Sequence, residues 1–413
     1  MSDNYNLDTR LIHESSDYEE GAVNKPIYQS TSFAYDTAEE LSQVFKQQAP
    51  GFTYTRINNP TVAAFEERLA NLEDGVGAIA CSSGMAAIAT AILSLVEQGD
   101  HIVAGNSLFG GTYSLLQKDL PRWGIDSTFI DTSDLESIDS AINDRTRLVY
   151  LESLGNPKLD IPDIKAVSKI AHENNIPLLV DNTFLTPYIL QVKEWGADIV
   201  IHSTSKYING SANSIGGIIV DLGTFNWQDG DTSGFDDYYQ FGPFAYLAKI
   251  RQDLFRNLGV CSSPYNASMN ITGLETLAVR MDKHCQNALK LAEFLAEHSL
   301  PVKINYPGLA THSQHQLARK QLAGKFGGVL TFGLKDQEQC FKFINSLKLA
   351  RNLANIGDIR TLVIHPASTI YWRLDEDRQR ELGVTPSLVR VSVGIENPDD
   401  IIKDFSQALD ILN

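Results

Sequence analysis

Six short apolar runs, each ending in small or polar residues, constrain this chain more than any other feature: AIACSS (78–83), HIVAG (101–105), RLVYLES (147–153), PLLVDN (177–182), DIVIHSTSKY (198–207) and GGIIVD (216–221). Helical patterns lie between several of them, and β-branched runs alternating with such patterns predict βα units around a mainly parallel sheet. Behind AIACSS, residues 85–98 (MAAIATAILSLVEQ) have helical period, with Gly99 placed as the C-cap. A chain of 413 residues exceeds what one core usually supports, so a large domain and a smaller one are expected. After a Gly/Asp/aromatic stretch at 222–245, which includes the Asp/Gly-rich QDGDTSGFDD, the pattern shifts to a long helical segment near 266–298 and then to strand-like VKINYPG and GGVLTFGL. That shift sets the expected division at 61–260 for the large domain and 261–413 for the small α/β domain. Residues 1–60 hold few periodic elements and many turn residues, which predicts an arm packed on a neighbouring subunit.

Charge narrows the partners. With 34 basic and 51 acidic residues the net charge is −17, a surface that repels phosphate backbones and anionic lipid, so neither nucleic acid nor membrane is an expected partner. Cys81, Cys261, Cys285 and Cys340 are far apart in sequence and form no CxxC pair, which suits a reducing compartment with reduced thiols as the default and argues against a disulfide framework or a thiolate zinc site. The polar, acidic start of the chain and the lack of any apolar run of membrane-span length predict a cytoplasmic protein.

The chemistry concentrates at the ends of the predicted strands. In IHSTSKY (201–207) an apolar strand runs into hydroxyl residues and then Lys206. Alone this fits a surface lysine just past a strand, but a lysine held at a buried strand end has the lowered pKa that a carbonyl-condensing amine needs. A second strand end, LLVDNT (178–183), carries Asp181, which also suits a helix N-cap or a sheet-edge residue. Lys and Asp on two strand ends of one parallel sheet fit ligand binding beyond the strand carboxyl termini. In a pyridoxal site such an Asp keeps the pyridinium nitrogen protonated. A third element, Ser82-Ser83-Gly84-Met85, lies between a strand and a helix, where amides at a helix N-terminus approach an anion, with Ser203 and Ser205 as further donors. GVGAIA (75–80) has the spelling of a dinucleotide fingerprint in the wrong order, with a helix before it and a strand after. His312 and His315 are spaced like a metal pair without an evident third ligand, and read as surface polar residues.

Taken in order, YTR (54–56), SSGM (82–85), FGGTY (109–113), ES..GNP (152–157), DNTF (181–184), STSKY (203–207), GLETLAVRM (273–281), HPAS (365–368) and LVRVSVGIE (388–396) closely resemble the γ-family of fold-type I pyridoxal-phosphate enzymes, the Cys/Met-metabolism enzymes, over nearly the whole chain. The resemblance implies a seven-stranded, mainly parallel sheet in the large domain. It implies pyridoxal 5′-phosphate held as a Schiff base on Lys206, which then shuttles protons, with Asp181 at the pyridine nitrogen and Phe109 stacked on the ring. It implies phosphate contacts from Ser83, Gly84, Met85, Ser203 and Ser205, and from Tyr54 and Arg56 of a neighbouring chain in a homotetramer built as a dimer of dimers. Tyr54 is also implied as a catalytic group. Arg390, with Asn156, would clamp a substrate carboxylate, and no metal is required.

Within the family the chain is similar to the O-acetylhomoserine sulfhydrylases, on ANIGD.RTLVIHPAST (354–369), where Asn355 stands in place of the Ser of lyase-like members, and on the extended segment at 222–262. That likeness implies γ-replacement: O-acetyl-L-homoserine and sulfide, or a small thiol, give homocysteine or methionine and acetate. The alternatives are γ-elimination of the methionine or cystathionine lyase type and a pyridoxal-binding protein without turnover. The chain departs from the family at Ser211-Ala212-Asn213, where a His is usual, at Phe109 in place of Tyr, and at Ser368-Thr369-Ile370-Tyr371. His365 is expected to be structural, and Tyr113 to pack on the helix that follows it.

Overall fold

The computed structural model describes residues 5–13, 21–228 and 234–412. QDGDTSGFDD and the acidic N-terminal stretch therefore lie partly outside the described residues. Seven strands make the first sheet: β1 Gly77–Cys81, β2 His101–Gly105, β3 Asp126–Ile130, β4 Thr146–Glu152, β5 Leu178–Asp181, β6 Ile199–His202 and β7 Gly217–Asp221. They lie in the order β1-β7-β6-β5-β4-β2-β3. β7 is antiparallel to both neighbours and every other pairing is parallel, so the mainly parallel seven-stranded sheet is as expected. Since β7 reverses between them, β1 runs parallel to β6, and β1, β2, β4, β5 and β6 all end at the same edge of the sheet.

Burial on both faces explains why these strands read as continuous apolar runs. Along β1, Ala78 and Ala80 enter one core while Ile79 and Cys81 enter the other, and β7 alternates likewise with Ile218 and Val220 against Ile219. The edge strand β3 was not expected, because DSTFI has one buried residue and offers only a weak apolar signal. The helix after β1 spans Gly84–Leu93 and stops short of the expected Gly99 cap. There Ser94 bonds back to the Thr90 carbonyl at 2.6 Å, and Asp100 takes the Glu97 amide at 2.7 Å, closing a turn in which Gly99 has φ 101°.

A second sheet holds β8 Lys303–Asn305, β9 Val329–Gly333, β10 Arg351–Asn352, β11 Leu362–Ile364 and β12 Leu388–Ser392, in the order β10-β11-β12-β9-β8. The expected long helix is two, Pro264–Glu275 and Leu277–Glu297. The first packs on helix Pro60–Leu72 beside the large sheet, and the second on the small sheet and the last helix, Pro398–Asp410, so the chain changes layer at Thr276. One core continues from the large sheet into the small one. Among the described residues no helix is long and apolar enough to cross a membrane. In the arm, helix Ala38–Phe45 has a Thr37/Glu40 capping box and no buried side chain, and none of residues 21–50 is buried.

Arg280 explains the break at Thr276. Its guanidinium donates to the carbonyls of Tyr207 (2.6 Å), Ile208 (3.2 Å) and Gly273 (2.6 Å) and to Thr276 Oγ1 (3.1 Å), so it ties the helix junction to the turn just after Lys206. Burial without an acidic partner pushes its pKa down to about 10. Arg280→Met takes the guanidinium donors away from the carbonyls of Tyr207, Ile208 and Gly273 and is expected to cost about 3 kcal/mol of unfolding free energy. Guanidinium unfolding followed by circular dichroism measures it; an unchanged midpoint would refute the clamp.

Candidate active site

At the shared strand edge, where the small sheet meets the large one, lies a cavity of about 420 Å³. Its wall includes Ser83, Gly84 and Met85 from the turn after β1, Phe109 after β2, Glu152 from β4, Asp181 from β5, Ser203, Ser205 and Lys206 after β6, and Asn355 and Arg390 from the small domain. Asn156 lines it as well. Tyr54 and Arg56 do not. They lie on a separate depression of about 220 Å³ with Ser30, Thr31 and Pro264, where the Arg56 guanidinium lies 5.5 Å from the Tyr54 ring centroid and donates to the Arg256 carbonyl.

Lys206 Nζ donates to Asn355 Oδ1 at 2.5 Å. Burial, and then repulsion from the Arg390 guanidinium, bring its pKa down to about 8. Arg390 is itself buried, and its Nη1 donates to Asn156 Oδ1 at 3.1 Å and Nη2 to the Asn355 carbonyl at 3.4 Å. Its Nε has no hydrogen-bond partner and no carboxylate pairs with it among the described residues. A buried guanidinium without a counter-ion is costly until an anion arrives, so it marks a carboxylate-sized subsite.

At the opposite end, the Ser83 hydroxyl caps helix Gly84–Leu93 by accepting from the Ala86 amide at 3.1 Å. The first amides of that helix have no intrahelical acceptor, which makes them anion donors. Space decides the residues: a Cβ on Gly84 would meet Ser203 Cβ at 2.6 Å, and one on Gly217 would meet the Ser83 carbonyl at 2.2 Å. Ser205 Oγ accepts from the Gly216 amide at 2.9 Å, and the Ser203 amide donates to Thr183 Oγ1 at 2.8 Å.

Asp181 is buried, and desolvation raises its pKa against the opposing effects of Thr183, whose amide donates to Oδ1 at 3.0 Å, and of His202. Among the described residues no lysine or arginine pairs with this carboxylate, which leaves it an acceptor for a cationic N–H. Sequence reasoning had assigned no role to four residues around it. Glu152 faces Asp181 across the β4/β5 pairing, and its carboxylate accepts from the Phe109 amide at 2.6 Å, which ties the backbone at Phe109 to the end of β4. Burial, then the neighbouring Asp181, push the Glu152 pKa well up. Behind Asp181, His202 Nδ1 faces the Asn182 carbonyl at 3.1 Å and Nε2 faces Glu73 Oε1 at 2.5 Å, both side chains fully buried. Thr183, the fourth, sits at the strand end. The strand-end positions of Glu152, Thr183 and His202 were visible signals; Glu73, the C-cap of helix Pro60–Leu72, gave none.

The departures from the family pattern also fall on this wall. Asn209 Nδ2 donates to Asn213 Oδ1 at 2.9 Å, and its own Oδ1 accepts from the Ser211 amide at 3.1 Å, so an Asn network stands where a His is usual, with Ala212 on the cavity. Ile370 contributes an apolar wall. His365 lies off the cavity, bonded to Ser368 Oγ and the Pro386 carbonyl, both at 2.8 Å. His315 is likewise bonded to the Pro307 carbonyl at 2.8 Å. Tyr113 packs on Phe129 of β3 (4.9 Å between ring centroids) and under the Arg378 guanidinium rather than only on the following helix.

The model of the Cys/Met metabolism PLP-dependent enzymes matches residues 8–410. The chain belongs to this family. It is 43% identical to the O-acetyl-L-homoserine sulfhydrylase of Leptospira meyeri, over 99% of this chain and 98% of that one, and 39% identical to the L-methionine gamma-lyase of Fusobacterium nucleatum subsp. polymorphum, over 98% of each. A crystal structure described as a putative O-acetylhomoserine (thiol)-lyase of Campylobacter jejuni, carrying N′-pyridoxyl-lysine-5′-monophosphate, superposes with TM-score 0.94 at 34% identity, covering 98% of this chain and 100% of that one. The cofactor is pyridoxal phosphate, and the donor set fits it: an anion cradle, a buried carboxylate lacking a cation and a desolvated amine line one cavity.

Loading of cofactor-free protein with pyridoxal phosphate, followed by its visible absorbance, is expected to accelerate with pH up to a plateau above about pH 8, because the neutral amine is the reactive form. In Arg390→Met a repelling cation is gone, the ammonium is less disfavoured, and the midpoint moves up. A downward move, or a parent midpoint at the ordinary lysine value, would contradict the electrostatic account.

Proposed function

We propose that this enzyme carries out γ-replacement on O-acetyl-L-homoserine, with sulfide or a small thiol as the incoming nucleophile and acetate as the leaving group. The observation that carries the reading is the buried, unpaired Arg390 beside the Lys206 amine in one closed-in cavity, which suits an α-amino acid held by its carboxylate with its Cα next to a base. Ile215, Ile370 and Phe184 on the wall suit an uncharged side chain and a thiol.

In this reading Lys206 holds the cofactor, the cradle of Ser83, Gly84, Met85, Ser203 and Ser205 takes its phosphate, Asp181 keeps its ring nitrogen protonated, and Phe109 covers one face. The bound cofactor supplies the electron sink that makes the Cα and Cβ protons removable. Lys206 would take the Cα proton and return protons later, a task suited to an amine whose pKa is brought down to about 8. Asn355 orients that amine through its Oδ1, and Arg390 with Asn156 fixes the substrate carboxylate. Phe109 brings an aromatic face without a phenol, so proton transfer there falls to Lys206 or to Tyr54 of a second chain.

The described arm buries none of residues 21–50 and leaves Tyr54 42% exposed, which supports a second copy covering it and lending Tyr54 and Arg56 to the site. We place the enzyme in the cytoplasm as a homotetramer built as a dimer of dimers. The second reading, γ-elimination, is favoured by the likeness to a methionine gamma-lyase.

Purified pyridoxal-loaded protein given O-acetyl-L-homoserine and sulfide is expected to form homocysteine and acetate faster than it releases 2-oxobutanoate from methionine or cystathionine, and Lys206→Ala is expected to lose turnover. Dominant 2-oxobutanoate would make it a lyase. In Arg56→Ala, equilibrium titration is expected to show cofactor affinity weakened roughly tenfold or more, the scale of losing a charged phosphate contact. Unchanged affinity would remove Arg56 from the site.

A further inference from the structure

A pair of thiols lies beside the strand end that leads into Ser82-Ser83-Gly84, and the function above makes no use of it. Residues 260–262 line the free edge of β1. The Ser82 amide donates to the Val260 carbonyl at 2.7 Å, the Ser262 amide donates to the Ala80 carbonyl at 3.3 Å, and Cys81 and Cys261 form the antiparallel bridge between these bonds. This is the non-hydrogen-bonded kind of cross-strand pair, in which the Cα atoms stand about 4.5 Å apart and both side chains project from one face. Disulfides span Cα separations of about 4.4–6.8 Å, so the pair is within bonding reach without backbone movement. The packing agrees independently: Cys81 belongs to the core on one face of the sheet, and Cys261 packs against that same core.

We propose that Cys81 and Cys261 form a reversible intramolecular disulfide when the enzyme meets a small oxidised disulfide of the glutathione type. All four cysteines are free thiols in this structure, but their positions differ. Cys261 is partly exposed and Cys81 is buried, so Cys261 meets the small disulfide first. Its thiolate attacks one sulfur and expels one glutathione thiolate, leaving a mixed disulfide. Cys81 then gives up its proton and displaces the second glutathione, so that one glutathione disulfide is reduced to two thiols while one protein disulfide forms. Burial pushes the Cys81 thiol up, so it stays protonated and inert toward the free small disulfide, and its displacement of the second glutathione is the slow step of the exchange. Cys285 and Cys340 are buried in helices Leu277–Glu297 and Gln337–Ser346 and stay out of the exchange.

The bond would fasten residues 260–262 to the last residue of β1, directly before Ser82-Ser83-Gly84. The same strap meets the arm, since a Cβ on Gly259 would lie 3.5 Å from Arg56 Cδ and Arg56 donates to the Arg256 carbonyl. Oxidation therefore acts on the backbone of the cradle and on the segment that carries Arg56, without touching a residue of the cavity wall.

The test uses the reduced, pyridoxal-loaded enzyme incubated with glutathione disulfide, quenched with an alkylating agent and mapped by mass spectrometry without reduction. The expected result is a linked Cys81–Cys261 peptide with Cys285 and Cys340 alkylated, reversed by dithiothreitol. Cys81→Ser, checked for folding by circular dichroism, is expected to stop at a stable glutathione adduct on Cys261, and Cys261→Ser to give neither product. Four alkylated thiols in the parent enzyme, or a persistent glutathione adduct on Cys261 there, would overturn the proposal.

Discussion

Everything at the cavity depends on keeping the Lys206 amine out of water beside a second cation. Arg390 repels its protonated form and burial penalises it further, so the amine sheds its proton near pH 8. The acids are suppressed in the same way, with burial raising the pKa of both Glu152 and Asp181. The cavity is thus a set of groups each held away from its preferred charge state. In the proposed reading, a phosphate at the cradle, a cationic ring nitrogen at Asp181 and a carboxylate at Arg390 would relieve these penalties, so that binding and the alignment for chemistry would be a single event.

Such a site tolerates little play, and the scaffold removes it with backbone contacts. Arg280 holds the carbonyls of Tyr207 and Ile208, and Gly357, at φ 73°, comes so near that a Cβ there would be 2.5 Å from the Tyr207 nitrogen. The loop with Gly357 also carries Asn355, and β12 carries Arg390, so two separate pieces of the small domain meet the Lys206 turn. The buried core is continuous from the large sheet to the small one.

Strand ends were the legible part of the molecule. Buried parallel strands are apolar throughout, so a polar residue at the end of such a run is conspicuous, and Asp181, Lys206 and the Ser83-Gly84 turn were visible for that reason. Glu152 ended a strand just as plainly, but its bond to the Phe109 amide joins residues 43 positions apart and leaves no local pattern. The edge strand β3 escaped because its polar alternation resembles loop, and the split of the long helix at Thr276 escaped because the cause, Arg280 reaching the Lys206 turn, is a contact across more than 70 residues.

The sequence by itself determined six of the seven strands of the large sheet, its mainly parallel character and the family, because these follow from local periodicity and from motifs a few residues long. Only the tertiary structure decided the charge states, which depend on how much water each group loses and on which ion stands beside it. It also decided that Arg390 has no counter-ion among the described residues, that His202 is locked to Glu73, and that Cys81 faces Cys261 across an edge of the sheet. Each of these is a pairing between distant segments, fixed by strand order and register, and neither order nor register is written in any short stretch of the chain.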